Sequence, residues 1–365
     1  MVEGSSIFRV TDCPVPELHG NHHEGLDALF KLMAENDLKL YRTQEGSAIG
    51  GPDGLIDAGD IVLVKVNAQW KYRGCTNSDV IRGLIQRILE HPEGFKGEVV
   101  IFENGQGGGS LDCDSMWGRQ YTDTGVHANA EDESHSYSYL VDTVFAGKGV
   151  SKYLLDPVRE TFIELDDHGT DGYRRLGKVS YPCFTTVGGN RVELKEGIWN
   201  GSGYDGNLKL INVPVLKHHG GCGITGALKS YYGILSMADG YRGERHYEKI
   251  GKHLGEMVAK VRAPTLNIMD CIWVTPVMWA GYPPENTTRL NQLLASVDPV
   301  ALDYWASKHL LYPIDGNEEH HPDRFPPLRN YLSTASEIIN AEGGIAEREI
   351  TLDESKIGVH TKGAS

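Results

Sequence analysis

Apolar positions along the first hundred residues switch between two periods. In LDALFKLM, Leu26, Leu29, Phe30 and Met33 recur at helical spacing, which predicts a helix over 26–33. IVLVKV at 61–66 is a continuous apolar run entered through the turn residues DAGD, the pattern of a buried strand. NSDVIRGLIQRILE at 77–90 returns to helical spacing, with Val80, Ile81, Leu84, Ile85, Ile88 and Leu89 on one face and Asn77 or Ser78 as N-cap. EVVIF at 98–102 is the next strand. This β-α-β alternation predicts a parallel sheet with helices packed on its faces.

The middle of the chain breaks the pattern. GQGGGSLDCDSMWGRQYTDTGVHANAEDESHSY is glycine-rich, polar and aperiodic, and reads as a long loop or lid. Strand-like pieces return over 178–216, helical ones over 224–235 and 247–260, and strands over 265–271 and 292–297. A helix over 298–311 opens with Asp298 as N-cap and Pro299 at its first position. The expected class is α/β: a mixed, largely parallel sheet with flanking helices, with two lobes around a central cleft as the open alternative. Within one domain over 1–365, the lobes would be 1–120 and 171–345, separated by a lid at 121–170 and followed by a tail at 346–365.

Composition narrows the function. The 365 residues carry 35 Lys plus Arg against 50 Asp plus Glu, a formal charge of −15. That balance excludes general nucleic-acid binding and repels anionic membranes. No apolar stretch is long enough to span a bilayer, and the N-terminal residues show no secretory pattern, so a cytoplasmic protein is expected. The six cysteines are scattered, with no C-x-x-C pair and hence no iron–sulfur or zinc-knuckle motif. A homo-oligomer is left open.

The candidate chemistry gathers at predicted strand ends, where parallel α/β sheets bind ligands. One loop offers Lys65, Asn67, Lys71, Arg73 and Thr76 before a helix start, a setting for a carboxylate or phosphate. Another offers Glu103 and Asn104 before a glycine cluster. The richest is LKHHGGCGITGALKSYYG, with Lys217, His218, His219, Thr225, Gly226 and Lys229, followed downstream by His246. Residues 217–262 hold eight Lys or Arg against four Asp or Glu, an inversion of sign that points to an anionic ligand. Histidine exchanges protons near neutral pH or binds a metal, and a lysine of lowered pKa acts as a nucleophile or electrophile. His127, His135, His320 and His321 lie in polar stretches and read as solvated.

In order, VLVKVN, INVPVLKHH, ITGALKSYYG, YRGERH and LASVDPVALDYWA resemble the domain of unknown function 362 family over roughly residues 60–310. The resemblance implies that Lys65, Asn67, Lys217, His219, Thr225, Lys229, His246, Asp298 and Asp303 matter. Many members carry an appended iron–sulfur module that has no counterpart here, and Ser230 stands where asparagine is usual. The layout of His219, Lys229 and His246 is also similar, at a distance, to the nickel-pincer lactate racemase. By that analogy Lys229 anchors a cofactor, His246 ligates the metal and His219 serves as acid/base.

The expectation is an enzyme acting on a small anionic molecule, with His219, Lys229 and His246 catalytic and Lys65, Asn67, Arg73, Thr76, Glu103, Lys217, His218, Thr225 and Gly226 binding the ligand. A cofactor- or metal-dependent isomerase or racemase is one version, with His246 as the candidate metal ligand. The alternatives are a non-catalytic small-ligand or metal-binding protein and a redox accessory protein.

Overall fold

The structure, a computed structural model, describes residues 4–115, 123–240, 249–277 and 284–364. His246, expected at the site, lies outside the described residues. The main sheet has ten strands. Eight of them run in the order Ile357–Gly363, Ser5–Thr11, Thr288–Ser296, Leu266–Thr275, Leu208–Asn212, Ile61–Lys65, Glu98–Glu103 and Val150–Leu154. Only Thr288–Ser296 opposes its neighbours; the other seven point the same way. The expected mixed, largely parallel sheet is what forms. Strands drawn from 1–120 and from 171–345 are interleaved within it.

The central strands are buried on both faces, which is why they read as unbroken apolar runs. Ile61, Leu63, Val100 and Phe102 enter one core, Val62, Val64, Val99 and Ile101 the other. Helices Glu24–Glu35 and Ser78–Leu89 cover the second face through Leu26, Leu29, Phe30, Ile81, Leu84 and Ile88. The first face is covered by helices Pro299–Ala306 and Pro326–Ala341 and by a five-stranded antiparallel sheet formed within 172–205. The stretch expected as a lid, 121–170, contributes the edge strand Val150–Leu154, and the expected tail contributes the strand Ile357–Gly363. Among the described residues, no helix is long and apolar enough to cross a membrane.

Helix starts follow their capping residues. Asn77 Oδ1 accepts from the N–H groups of Asp79 (2.8 Å) and Val80 (3.2 Å), and Asp298 Oδ1 from Val300 (2.8 Å) and Ala301 (2.9 Å). Asn77 also donates through Nδ2 to the buried Glu17 at 3.0 Å. The Asn77→Ala variant therefore loses a cap and leaves Glu17 one donor short. Urea denaturation should show it less stable by about 1–2 kcal/mol, as a lower midpoint with an unchanged slope.

Candidate functional site

The parallel register sets two charged side chains side by side at the ends of neighbouring strands. Lys65 closes Ile61–Lys65 and aligns with Phe102, one position before Glu103, and its ammonium meets the Glu103 carboxylate in an ion pair with both partners buried. Lys65 Nζ also donates to Val66 O at 2.8 Å and to Ser230 Oγ at 3.1 Å. Gly233 leaves room for this pair: a Cβ there would stand 2.5 Å from Glu103 Oε1 and 3.0 Å from Lys65 Nζ. The strand end is stitched to the same segment by Asn104, whose N–H donates to Gly233 O at 2.9 Å and whose Nδ2 donates to Leu235 O at 2.7 Å.

The third wall comes from Leu208–Asn212. Its continuation, Val215–His219, runs beside Leu266–Thr275 and turns back as the hairpin strand Gly223–Thr225, with Lys217 opposite Thr225. Lys217 is 4 % exposed and donates to Gly74 O. The hairpin delivers the chain into the short helix Ala227–Ser230, which carries Lys229, 6 % exposed, with its ammonium 4.5 Å from the centroid of the Tyr232 ring. That helix is held at both ends of its first turn. Asp303 accepts from the N–H groups of Ala227 (2.5 Å) and Leu228 (3.0 Å), and Asn212 Nδ2 donates to Ala227 O at 2.8 Å. Gly226 is needed for the first contact, since a Cβ there would lie 2.2 Å from Asp303 Oδ1.

The electrostatics follow from burial. Burial pushes the Lys217 ammonium down to about 7, with the neighbouring Lys229 and Lys65 charges adding and Cys75 and Glu103 opposing. Burial takes Lys229 down to about 8, with Lys65 adding and Glu103 opposing. Burial lifts Glu103 to about 8 against the pull of Lys65, and Lys65 itself is lowered by burial. Burial likewise lifts Asp303 to about 7 against its two backbone donors. Three lysines thus share a buried cluster with one carboxylate.

Lys65, Glu103, Lys217 and Lys229 are brought together, and Thr225 lies across the hairpin from Lys217. The other candidates are placed elsewhere or do structural work. Asn67 Oδ1 accepts from Val215 N at 3.0 Å, and Thr76 Oγ1 accepts from Asn67 N (2.8 Å) while donating to Val213 O (2.7 Å), so both seam two strand-end loops. Arg73 faces a different cavity. His218 turns to the opposite side of its strand from Lys217, where its Nδ1 lies 2.8 Å from Nε2 of His320. His320 and His321 are buried rather than solvated, because the turn Glu318–His320 packs onto the hairpin. His219 sits half-buried at the hairpin, its Nδ1 3.0 Å from Cys222 Sγ. Among the described residues, no group of three or more His, Cys, Asp or Glu could hold a metal ion.

Ser230, Asn212 and Gly233 were not among the expected site residues. Asn212 carries a legible signal, a polar residue inside the apolar run LKLINVPVL. Ser230 stands out only as a departure from the family pattern, since its role depends on Lys65 reaching it across 165 positions of chain, and Gly233 carries no signal.

The lysines have a consequence for stability. Between about pH 7 and 10.5 the unfolded chain holds a proton on Lys217 that the folded chain has released, so folding gains stability as pH rises through this window. Glu103 acts oppositely between about pH 4.5 and 8, where the folded chain holds the extra proton. Relative to Lys217→Met, the wild type should gain stability from pH 7 to 10, by no more than about 1.4 kcal/mol per unit. Parallel denaturant titrations of the two proteins read this difference, and a flat difference contradicts the buried, deprotonating lysine.

No curated protein and no solved structure matches the chain. A family match does exist: the model described as Domain of unknown function (DUF362) covers residues 207–308. This stretch contains Lys217, Lys229, Asp298 and Asp303. Over residues 207–308 the chain is thus similar to this family, in agreement with the resemblance drawn from the motifs.

Proposed function

We propose that the protein is an enzyme acting on a small anionic molecule bound by Lys65, Lys217 and Lys229. The observation that supports this is a charge imbalance among the described residues: three buried lysines bear on one another, and Glu103, the carboxylate that bears on all three, is already paired with Lys65. An uncompensated buried charge is costly, so such a cluster either sheds protons or accepts an anion. Glu103 is committed to Lys65, which leaves Lys217 and Lys229 for the ligand.

Near neutral pH both of these lysines exchange protons readily, and a lysine in its amine form takes a proton or attacks a carbonyl carbon. Glu103, lifted to about 8, takes up a proton from solvent when an incoming anion draws Lys65 away, and can then pass that proton on. This chemistry suits proton transfer next to a carboxylate or carbonyl, the step shared by isomerases and racemases. His219 is the nearest candidate partner on the hairpin, two residues from Lys217 on the same strand. The lactate-racemase layout also needs His246, which lies outside the described residues, and no step is assigned to it.

Thermal-shift assays with inorganic phosphate, malonate and pyruvate, followed by deuterium exchange at the α-hydrogen of a 2-hydroxy-acid panel, test the reading. At least one of the three anions should stabilise the wild type, and the Lys217→Met/Lys229→Met variant should lose that stabilisation. Exchange by the wild type should fall at least about 100-fold in Lys229→Met, the scale of a lost general acid–base group. Stabilisation without exchange on any acid would favour a non-catalytic anion-binding protein. No response to any anion would overturn both.

A further inference from the structure

A cavity of about 350 Å³ is lined by none of the four clustered side chains. Its walls come from the 15–17 segment, the turn carrying Arg73, the loop at 130–131 and the two antiparallel strands that hold Trp273 and Arg289. We propose that it is a binding site for a small zwitterion of the α-amino-acid type, with the carboxylate on Arg73 and the ammonium on Glu131.

The argument rests on which charges in the cavity already have partners. Glu17 is buried and committed: Oε2 accepts from Asn77 Nδ2 at 3.0 Å, and Oε1 pairs with Arg289 at 3.2 Å. Arg289 is occupied in turn, because its Nε also donates to Asn291 Oδ1 at 2.6 Å. Arg73 differs. Its hydrogen-bond acceptors among the described residues are neutral, Asn129 Oδ1 at 2.8 Å and Ala130 O at 3.2 Å, both taken by one nitrogen. The guanidinium is steadied over the Trp273 ring at 4.6 Å, which leaves its planar fork for a carboxylate. Glu131 is its counterpart of opposite sign. The side chain is 35 % exposed, accepts from the backbone N–H of Glu17 at 3.1 Å and approaches Arg289 only to 3.9 Å.

The pairing excludes simpler ligands. A plain anion on Arg73 would face Glu17 and Glu131 across the cavity, and a plain cation on Glu131 would face two guanidiniums. A zwitterion answers both, and Val15 and Pro16 offer apolar surface to a side chain. The volume lies at the lower end of the range of small-molecule sites, which suits a single amino acid.

Calorimetric titration of the full chain with the common amino acids, and with the N-acetyl and amide derivatives of any that bind, tests the proposal. At least one amino acid should bind in the micromolar to millimolar range. Masking either its amine or its carboxyl should weaken binding by roughly tenfold or more. Arg73→Met and Glu131→Gln should each do the same to the free amino acid. If a variant fails to fold, the derivative series on the wild type still decides. No binding by any amino acid, equal binding of the masked derivatives, or affinity unchanged in both folded variants would overturn the proposal.

Discussion

The ion pair between Lys65 and Glu103 is the contact on which the lysine cluster depends. It joins the ends of two neighbouring parallel strands, where Lys65 is aligned with Phe102, one position before Glu103. Neither charge would be tolerated alone at such depth, and together they fix where the strands may end. Everything around the pair accommodates it: Gly233 keeps its space clear, Ser230 takes one of the lysine protons, and Asn104 binds the adjoining backbone. With Glu103 paired to Lys65, the buried thiols of Cys75 and Cys222 are the further groups of opposite sign that bear on Lys217 and Lys229.

A second layer of acids does architectural work. Asp303 anchors the lysine-bearing helix, Asp298 caps the helix that carries Asp303, and Asp270 accepts from Asn77 N at 2.8 Å behind the 72–76 turn. Each is a buried carboxylate satisfied largely by backbone N–H groups, which hold it without a matching cation. This gives meaning to an acidic composition with a basic centre. Part of the acid excess fixes loops and helix ends around a buried cluster of lysines.

The elements with a clean period were legible from residue order alone. Helices at 24–35 and 78–89 and the strands ending in Lys65 and Glu103 follow from local patterns, and the strand-end rule singled out both charged residues that form the buried pair. The misreadings arise where tertiary contacts override local character. Ile357–Gly363 exposes most of its side chains, so its sequence looked like a tail although its backbone extends the sheet. His320 looked solvated because its partner, His218, is 102 positions away. Arg73 was grouped with Lys65 by proximity in sequence, but its side chain leaves the turn toward Trp273. Strand alternation separates Lys217 from His218, a distinction that the basic, histidine-rich motif obscured.

Asp298 also ties the site to the ends of the chain. Its second oxygen accepts from the hydroxyl of Ser5 and from Thr351 N at 3.3 Å, while Ser5–Thr11 lies between strands made some 280 and 350 residues later. Ser5–Thr11 therefore waits for partners that lie hundreds of residues further along the chain. Assembly governed by such distant contacts is slow, because long loops must close before any of those contacts form. The lysine-bearing helix, propped by Asp303 on the helix that Asp298 begins, becomes rigid only once those distant contacts are made. Until then, the buried charges have no interior to occupy.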